Sequence, residues 1–171
     1  MEKIRITSGK YRGRTLKTPG GATHPMGARE KLALFNIIAD YLPGAKVLDA
    51  FAGSGALGIE ALSRGAESAI FIERSPSAAN IIRQNLAELG LVAKVIASDV
   101  ANFQTQEKFD LILADPPYDD FDIEKIANLS DLLAKSGVLV LSHPGEAPGI
   151  MGAELVKTRQ YARAKISIYK K

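Results

Sequence analysis

Five short apolar runs recur between residues 46 and 141, at 46–52, 68–73, 93–97, 109–114 and 137–141. Helix-period stripes fill three of the gaps, over 56–64, 75–89 and 121–134. Apolar runs of strand length that alternate with amphipathic helices build an open, mostly parallel sheet covered on both faces. The expected fold is therefore α/β, doubly wound and Rossmann-like. A further helix is expected over 27–42, where Leu32, Phe35, Ile38, Ala39 and Leu42 share a stripe and Pro43-Gly44 stops it. Residues 4–16 read as a small β-hairpin, and 153–169 as two strands of a C-terminal antiparallel hairpin. With 171 residues the chain suits one main domain, placed at 24–171, with 1–23 as a basic N-terminal hairpin extension and linker.

Ligands of such sheets bind beyond the carboxyl ends of the strands. The first of these ends reads Asp49-Ala50-Phe51-Ala52-Gly53-Ser54-Gly55-Ala56-Leu57-Gly58. Its glycines fit G-x-G-x-x-G between strand and helix, where backbone turns tightly and approaches a ligand closely. Alone, the pattern also suits a plain strand-to-helix turn. Glu73 ends the next strand, twenty residues after Gly53, where a carboxylate binds both hydroxyls of a ribose. A dinucleotide and S-adenosylmethionine both satisfy these residues. Asp49 favours the second, because a carboxylate inside the turn suits a cationic ammonium or sulfonium and not a pyrophosphate. Asp99 follows the third strand, placed to accept from an adenine amino group or to cap a short helix.

The fourth strand ends in Asp115-Pro116-Pro117-Tyr118. The two prolines fix the backbone and remove two N–H donors, so the turn presents acceptors. Asp115 adds a carboxylate and Tyr118 a flat aromatic face. Methylation of an amino group on a nucleobase needs this set. The exocyclic nitrogen is a poor nucleophile because its lone pair is delocalised into the ring. Acceptors on its N–H bonds localise that pair and stabilise the charge that develops on attack. An aromatic ring holds the base by stacking, worth about 1–3 kcal/mol.

With these residues the chain resembles the class I S-adenosylmethionine-dependent amino-methyltransferases. Arg5-Ile6, Gly9-Lys10-Tyr11-Arg12-Gly13-Arg14-Thr15-Leu16, Leu34-Phe35-Asn36, Arg159-Gln160-Tyr161 and Ile168-Tyr169 sharpen the resemblance. They are similar to signatures of the bacterial RsmD-type enzymes, which methylate guanine N2 in small-subunit (16S) ribosomal RNA. The resemblance covers nearly the whole chain. It implies a Rossmann-like methyltransferase fold and S-adenosylmethionine as cofactor. The implied cofactor residues are Asp49, Ala50, Phe51, Gly53, Ser54, Gly55, Gly58, Glu73, Asp99 and Val100, and the implied catalytic set is Asp115, Pro116, Pro117 and Tyr118. The chain departs from the family pattern at His24-Pro25-Met26, at Ser142-His143 and at Ala162.

The net charge of +3 conceals a segregation: +6 over residues 1–31, −8 over 32–153 and +5 over 154–171. Basic ends suggest a polyanionic partner. Lys3, Arg5, Lys10, Arg12, Arg14, Lys17 and Arg29 are the expected RNA contacts. Ribosomal RNA, free or within a small subunit, is the expected partner of a monomeric chain. There is no cysteine, which excludes disulfides, thiolate metal sites and a thiol nucleophile, and with it carbon-5 methylation of cytosine through a thiol adduct. A cytoplasmic enzyme without a metal or a membrane span is expected. His24 and His143 read as loop residues, and Asp119, Asp120 and Asp122 as caps of the helix that follows. Three other readings fit less of the chain. A DNA adenine methyltransferase needs a target-recognition region that 171 residues leave no room for. A nicotinamide-dependent reductase leaves Asp115–Tyr118 unexplained, and a non-catalytic RNA-binding assembly factor has no use for intact motifs.

Overall fold

A computed structural model of the chain describes residues 4–20, 26–161 and 164–171. Strands β1 (Ile4–Arg5) and β2 (Thr15–Leu16) pair antiparallel as an N-terminal hairpin. In chain order there follow α1 (Ala28–Ile37), β3 (Lys46–Asp49), α2 (Ala56–Ser63), β4 (Ser68–Glu73), α3 (Pro76–Glu88), β5 (Lys94–Ala97) and β6 (Phe109–Ala114). The remainder is α4 (Ile123–Ala127), β7 (Leu133–His143), β8 (Glu154–Tyr161) and β9 (Ala164–Lys170).

Seven strands form one sheet in the order β5-β4-β3-β6-β7-β9-β8. Strands β3 to β7 run parallel, and β9 lies antiparallel to both β7 and β8. From β3 the chain winds outward through β4 and β5, then returns to the other side of β3 with β6. That reversal is the topological switch point, where a crevice opens beyond the strand ends. The register sets Asp49 opposite Leu113, two residues before Asp115. The ends of β3 and β6 therefore meet at the crevice.

Alternation along the strands builds two cores. Val47, Phe71, Leu111 and Val140 face α1, α2 and α3 through Phe35, Ile59 and Ile82. Leu48, Ile72, Ile112 and Leu139 face the other way, onto Ile126 and Leu129. The N-terminal hairpin joins the first core through Ile6 and Leu16. It is also tied by polar groups. Glu60 of α2 is fully buried and accepts from the Thr7 and Ser8 backbone N–H groups, the Thr7 hydroxyl, Arg64 and Lys31. Burial pushes the Glu60 carboxyl up, but the Thr7 hydrogen bonds and the two cations outweigh it and hold it below its usual value. Residues 4–17 thus belong to the main core, and the boundary expected at 23–24 falls outside the described residues.

Four expectations need correction. Helix α1 buries Lys31, Leu34 and Phe35, with Ile38 buried just beyond its end, while Leu32 is 43% exposed and Ala39 is exposed. The stripe is rotated because the Lys31 ammonium belongs inside with Glu60, 3.0 Å away. The helix also stops at Ile37, and 39–41 form a 3-10 turn. The run 46–52 is a strand only to Asp49. Ala50 and Ala52 still donate to Leu113 and Ile72, but the backbone between them bends into the glycine turn. The helix expected over 121–134 is reduced to α4. Asp122 caps it late, 128–132 form a 3-10 turn, and Leu133 already pairs with Phe109 in β7. Ser130 drives that break, because its hydroxyl bonds the Ala127 and Met151 carbonyls. His143 is the last residue of β7 and fully buried, not a loop residue.

Candidate active site

Asp49 ends β3 with its side chain 1% exposed. Its Oδ2 accepts from the Gly58 N–H at 2.8 Å, and its Oδ1 has no hydrogen-bond partner among the described residues. Burial pushes this carboxyl up to about 7, against the Gly58 bond, with Asp115 and Glu73 adding repulsion. A buried carboxylate oxygen without a donor is costly, and a cationic ligand would relieve the cost.

The glycine loop divides its labour. Gly55 caps α2 at φ +80°, and a Cβ there would crowd Ile82, Ile59 and Phe71. A Cβ on Gly58 would drive into the Phe71 ring. At both positions the packed side chains leave no room for a Cβ. Gly53, at φ +55°, has open space where its Cβ would stand. Ala50 and Ser54 are buried inside the turn, and the Ser54 carbonyl accepts from Asn85. Phe51 stays partly exposed.

Glu73 is braced from both sides. Its Oε2 accepts from the Gly53 N–H and its Oε1 from the Ser75 N–H, each at 2.8 Å. Each oxygen keeps a lone pair for a further donor. Asp99 caps the 3-10 turn that starts at Val100, accepting from Ala101, and its other oxygen meets Lys125 at 3.2 Å. The Ala101 bond, then Lys125, hold its carboxyl below its usual value against desolvation. Val100 itself is buried in the second core.

Asp115 follows β6 at the crevice. Burial raises its carboxyl to about 6, against a hydrogen bond from Ser142 and with repulsion from Glu30. Ser142 is buried near the end of β7, and its hydroxyl lies 2.6 Å from the Tyr118 hydroxyl. Either hydroxyl can donate in that pair, and Ser142 also lowers the Asp115 carboxyl as a hydrogen-bond donor. Pro116 is buried and Pro117 exposed. Sequence reasoning missed Ser142 and Glu30 as parts of this site. For Ser142 the signal was its place at the carboxyl end of the strand beside β6. Glu30 sits in the first turn of α1, folded over Gly27, and bears electrostatically on both Asp115 and Tyr118.

The basic residues expected to contact RNA are dispersed. Lys17 pairs with Glu88 at 2.6 Å, and Arg14 bonds the Glu88 carbonyl. The Lys10 ammonium lies over the Tyr11 ring. Arg5, Arg12 and Arg29 are exposed. Lys3, His24 and Ala162 lie outside the described residues. His143 is held neutral: burial lowers its pKa, its Nδ1 faces the Pro144 carbonyl, and Ser167 meets its Nε2 at 2.8 Å. Among the described residues no helix is long and apolar enough to cross a membrane, and no group of three His, Cys, Asp or Glu could hold a metal ion.

A family model described as "Conserved hypothetical protein 95" matches residues 4–170. The chain belongs to this family. It is 38% identical over 183 residues to "Putative rRNA methyltransferase YlbH" of Bacillus subtilis, a match covering 98% of this chain and 99% of that protein. It is 38% identical to "Ribosomal RNA small subunit methyltransferase D" of Escherichia coli K12, over 74% of this chain and 66% of that protein. Among solved structures, "Putative methyltransferase yhhF from Escherichia coli" superposes with a TM-score of 0.89 at 32% identity, covering 99% of this chain and 98% of that one. That structure shares the α/β fold described above.

Proposed function

We propose that this chain transfers a methyl group from S-adenosylmethionine to the exocyclic N2 amine of a guanine in small-subunit ribosomal RNA. The observation that carries the reading is the pairing of two carboxylates at adjacent strand ends. Asp49 has a buried oxygen without a donor, and Asp115 is held by Ser142 at the neighbouring end. The names of the Bacillus and Escherichia relatives support rRNA as the substrate class.

The residues present fit the cofactor. The unpartnered Asp49 oxygen suits its cationic methionine part, Gly53 leaves room for close approach, and the braced Glu73 offers a lone pair from each oxygen to a ribose. Asp99 reaches adenine only through lone pairs not used by Ala101 and Lys125. When bound, S-adenosylmethionine supplies a methyl group on a cationic sulfonium. Asp49, ionised by that cation, supplies the counter-charge. The target guanine leaves its stack to reach Asp115 and Tyr118. Tyr118 offers its ring face to the base while its hydroxyl holds Ser142. Asp115 accepts from the amine and localises the nitrogen lone pair along the methyl direction. Its value of about 6 leaves it ionised at neutral pH and able to take the released proton. Most of the barrier reduction comes from positioning, a term of about 7–11 kcal/mol.

The enzyme acts as a monomer in the cytoplasm on RNA of a free or assembling subunit. The test is to incubate it with methyl-labelled S-adenosylmethionine and hypomethylated small subunits, then digest the RNA to nucleosides. Label in N2-methylguanosine is expected. Label in N6-methyladenosine, or none in RNA, contradicts the reading.

A further inference from the structure

The crevice that suits a cation and an amine is hostile to a phosphate backbone. Asp115 and Glu73 repel the Asp49 carboxylate there, and Glu30 repels that of Asp115. Their field repels the charge that every nucleotide carries. Cations that hold an RNA strand must stand at the rim of this acidic pocket, within reach of the base that enters it.

The sheet register shows where such cations are. Ser142, Ile166 and Arg159 form one row across β7, β9 and β8, and Val140, Ile168 and Lys157 form the next. Directly paired residues on antiparallel strands share a face. Arg159 and Lys157 therefore lie on the face of Ser142, whose hydroxyl holds Tyr118. Two strand spacings separate Arg159 from Ser142, or about 10 Å. Arg159 is exposed and Lys157 partly so, and neither is ion-paired among the described residues. Arg159 makes only a long 3.5 Å bond to the Thr158 carbonyl.

The basic N-terminal loop is placed differently. The Lys10 N–H bonds the carbonyl of Ser63, the last residue of α2. Helix α2 starts at the carboxyl end of β3 and returns to the amino edge, where β4 begins. Lys10 therefore lies toward the edge opposite Asp115.

We infer that Arg159 and Lys157 of β8 form the phosphate-binding rim of the site and hold the RNA backbone beside the guanine that enters it. The inference rests on the proposed reading of the crevice as an RNA amino-methylation site, and it adds two residues on the C-terminal hairpin to the substrate contacts. Their role is to seat the strand, so it shows in RNA affinity and not in the chemical step.

The experiment compares the K157A/R159A and K10A/R12A double variants with wild type. The salt slope of RNA affinity is read by fluorescence on hypomethylated small-subunit RNA, with no turnover required, and KM and kcat by methyl transfer to the same RNA. For two phosphate contacts, K157A/R159A should lower the log–log salt slope by about 1.5 units and raise the RNA KM by about tenfold or more. Its kcat, cofactor affinity and melting temperature should match wild type, and K157A/R159K should recover about half of the lost slope. K10A/R12A should leave the RNA KM within about twofold. An unchanged slope in K157A/R159A, or an equal rise in KM in both doubles, overturns the inference. If wild type places no label on guanine, the functional reading fails while the salt slopes still decide whether β8 holds RNA.

Discussion

Cofactor affinity should depend on pH through Asp49, with a size the structure dictates. The folded, unliganded chain holds this carboxyl near 7, against 3.8 when unperturbed, because it is buried beside only one N–H donor. Ionising it therefore costs on the order of 4 kcal/mol more than in water. A cation at Oδ1 favours the ionised form, so binding expels a proton wherever the free protein holds one. If the cofactor takes only the ionised form, affinity should rise roughly 25-fold between pH 5.5 and 7.5. Calorimetry in buffers of different ionisation enthalpy should show close to one proton released per cofactor near pH 6. Asp49→Asn keeps an acceptor for the Gly58 N–H but loses the titrating charge. It should bind more weakly at pH 7.5 and lose most of the pH slope. A flat wild-type profile, or an undiminished slope in the Asn variant, would refute the assignment of Asp49 as the counter-charge.

Asp49 also makes a prediction about stability without ligand. Its pKa is raised on folding, so the folded chain binds more protons than the unfolded one between about pH 4 and 7, and stability falls as pH rises through that window. Asp49→Asn should therefore melt several degrees above wild type at pH 8, and the gap should narrow progressively and close only near pH 4, read by scanning calorimetry. Ser142→Ala removes the donor that lowers the Asp115 pKa, so the acid limb of the kcat/KM profile should move above about 6, with activity lost at pH 6 and largely recovered at pH 8. An unmoved limb would mean that Ser142 does not position Asp115. Ile6→Ala truncates a side chain only 1% exposed in the first core and should cost about 2–5 kcal/mol in denaturant unfolding, because the N-terminal hairpin is a structural part of the domain.

Where the sequence was legible, a single local cause set the structure. Ser68–Glu73 and Phe109–Ala114 are mainly apolar runs between turn residues, and both are strands with those bounds. Asp49, Glu73 and Asp115 could be placed because strand ends in a parallel sheet converge on one crevice. The misreadings share a different cause. The stripe expected over 27–42 leaves out Lys31, whose charge is neutralised inside by Glu60, a partner twenty-nine residues away, and this rotates α1. Ile126, Leu129 and Leu133 are all buried as their spacing requires, but Ser130 competes for backbone carbonyls and divides them among a helix, a 3-10 turn and a strand. Ser142 carries no motif of its own, and it joins the site only because β7 pairs with β6. Local pattern recorded burial well. It recorded long-range polar pairing poorly, because such a pair has no period.

In the proposed mechanism, binding the cofactor and activating the amine belong to different carboxylates at neighbouring strand ends. Asp115→Ala tests it most directly, with cofactor affinity by calorimetry and single-turnover methyl transfer to hypomethylated subunits measured on the same preparation. Cofactor affinity should stay at the wild-type value while the transfer rate falls by about 100-fold or more. Transfer at the wild-type rate, or loss of cofactor binding together with transfer, would contradict the division of roles between Asp49 and Asp115.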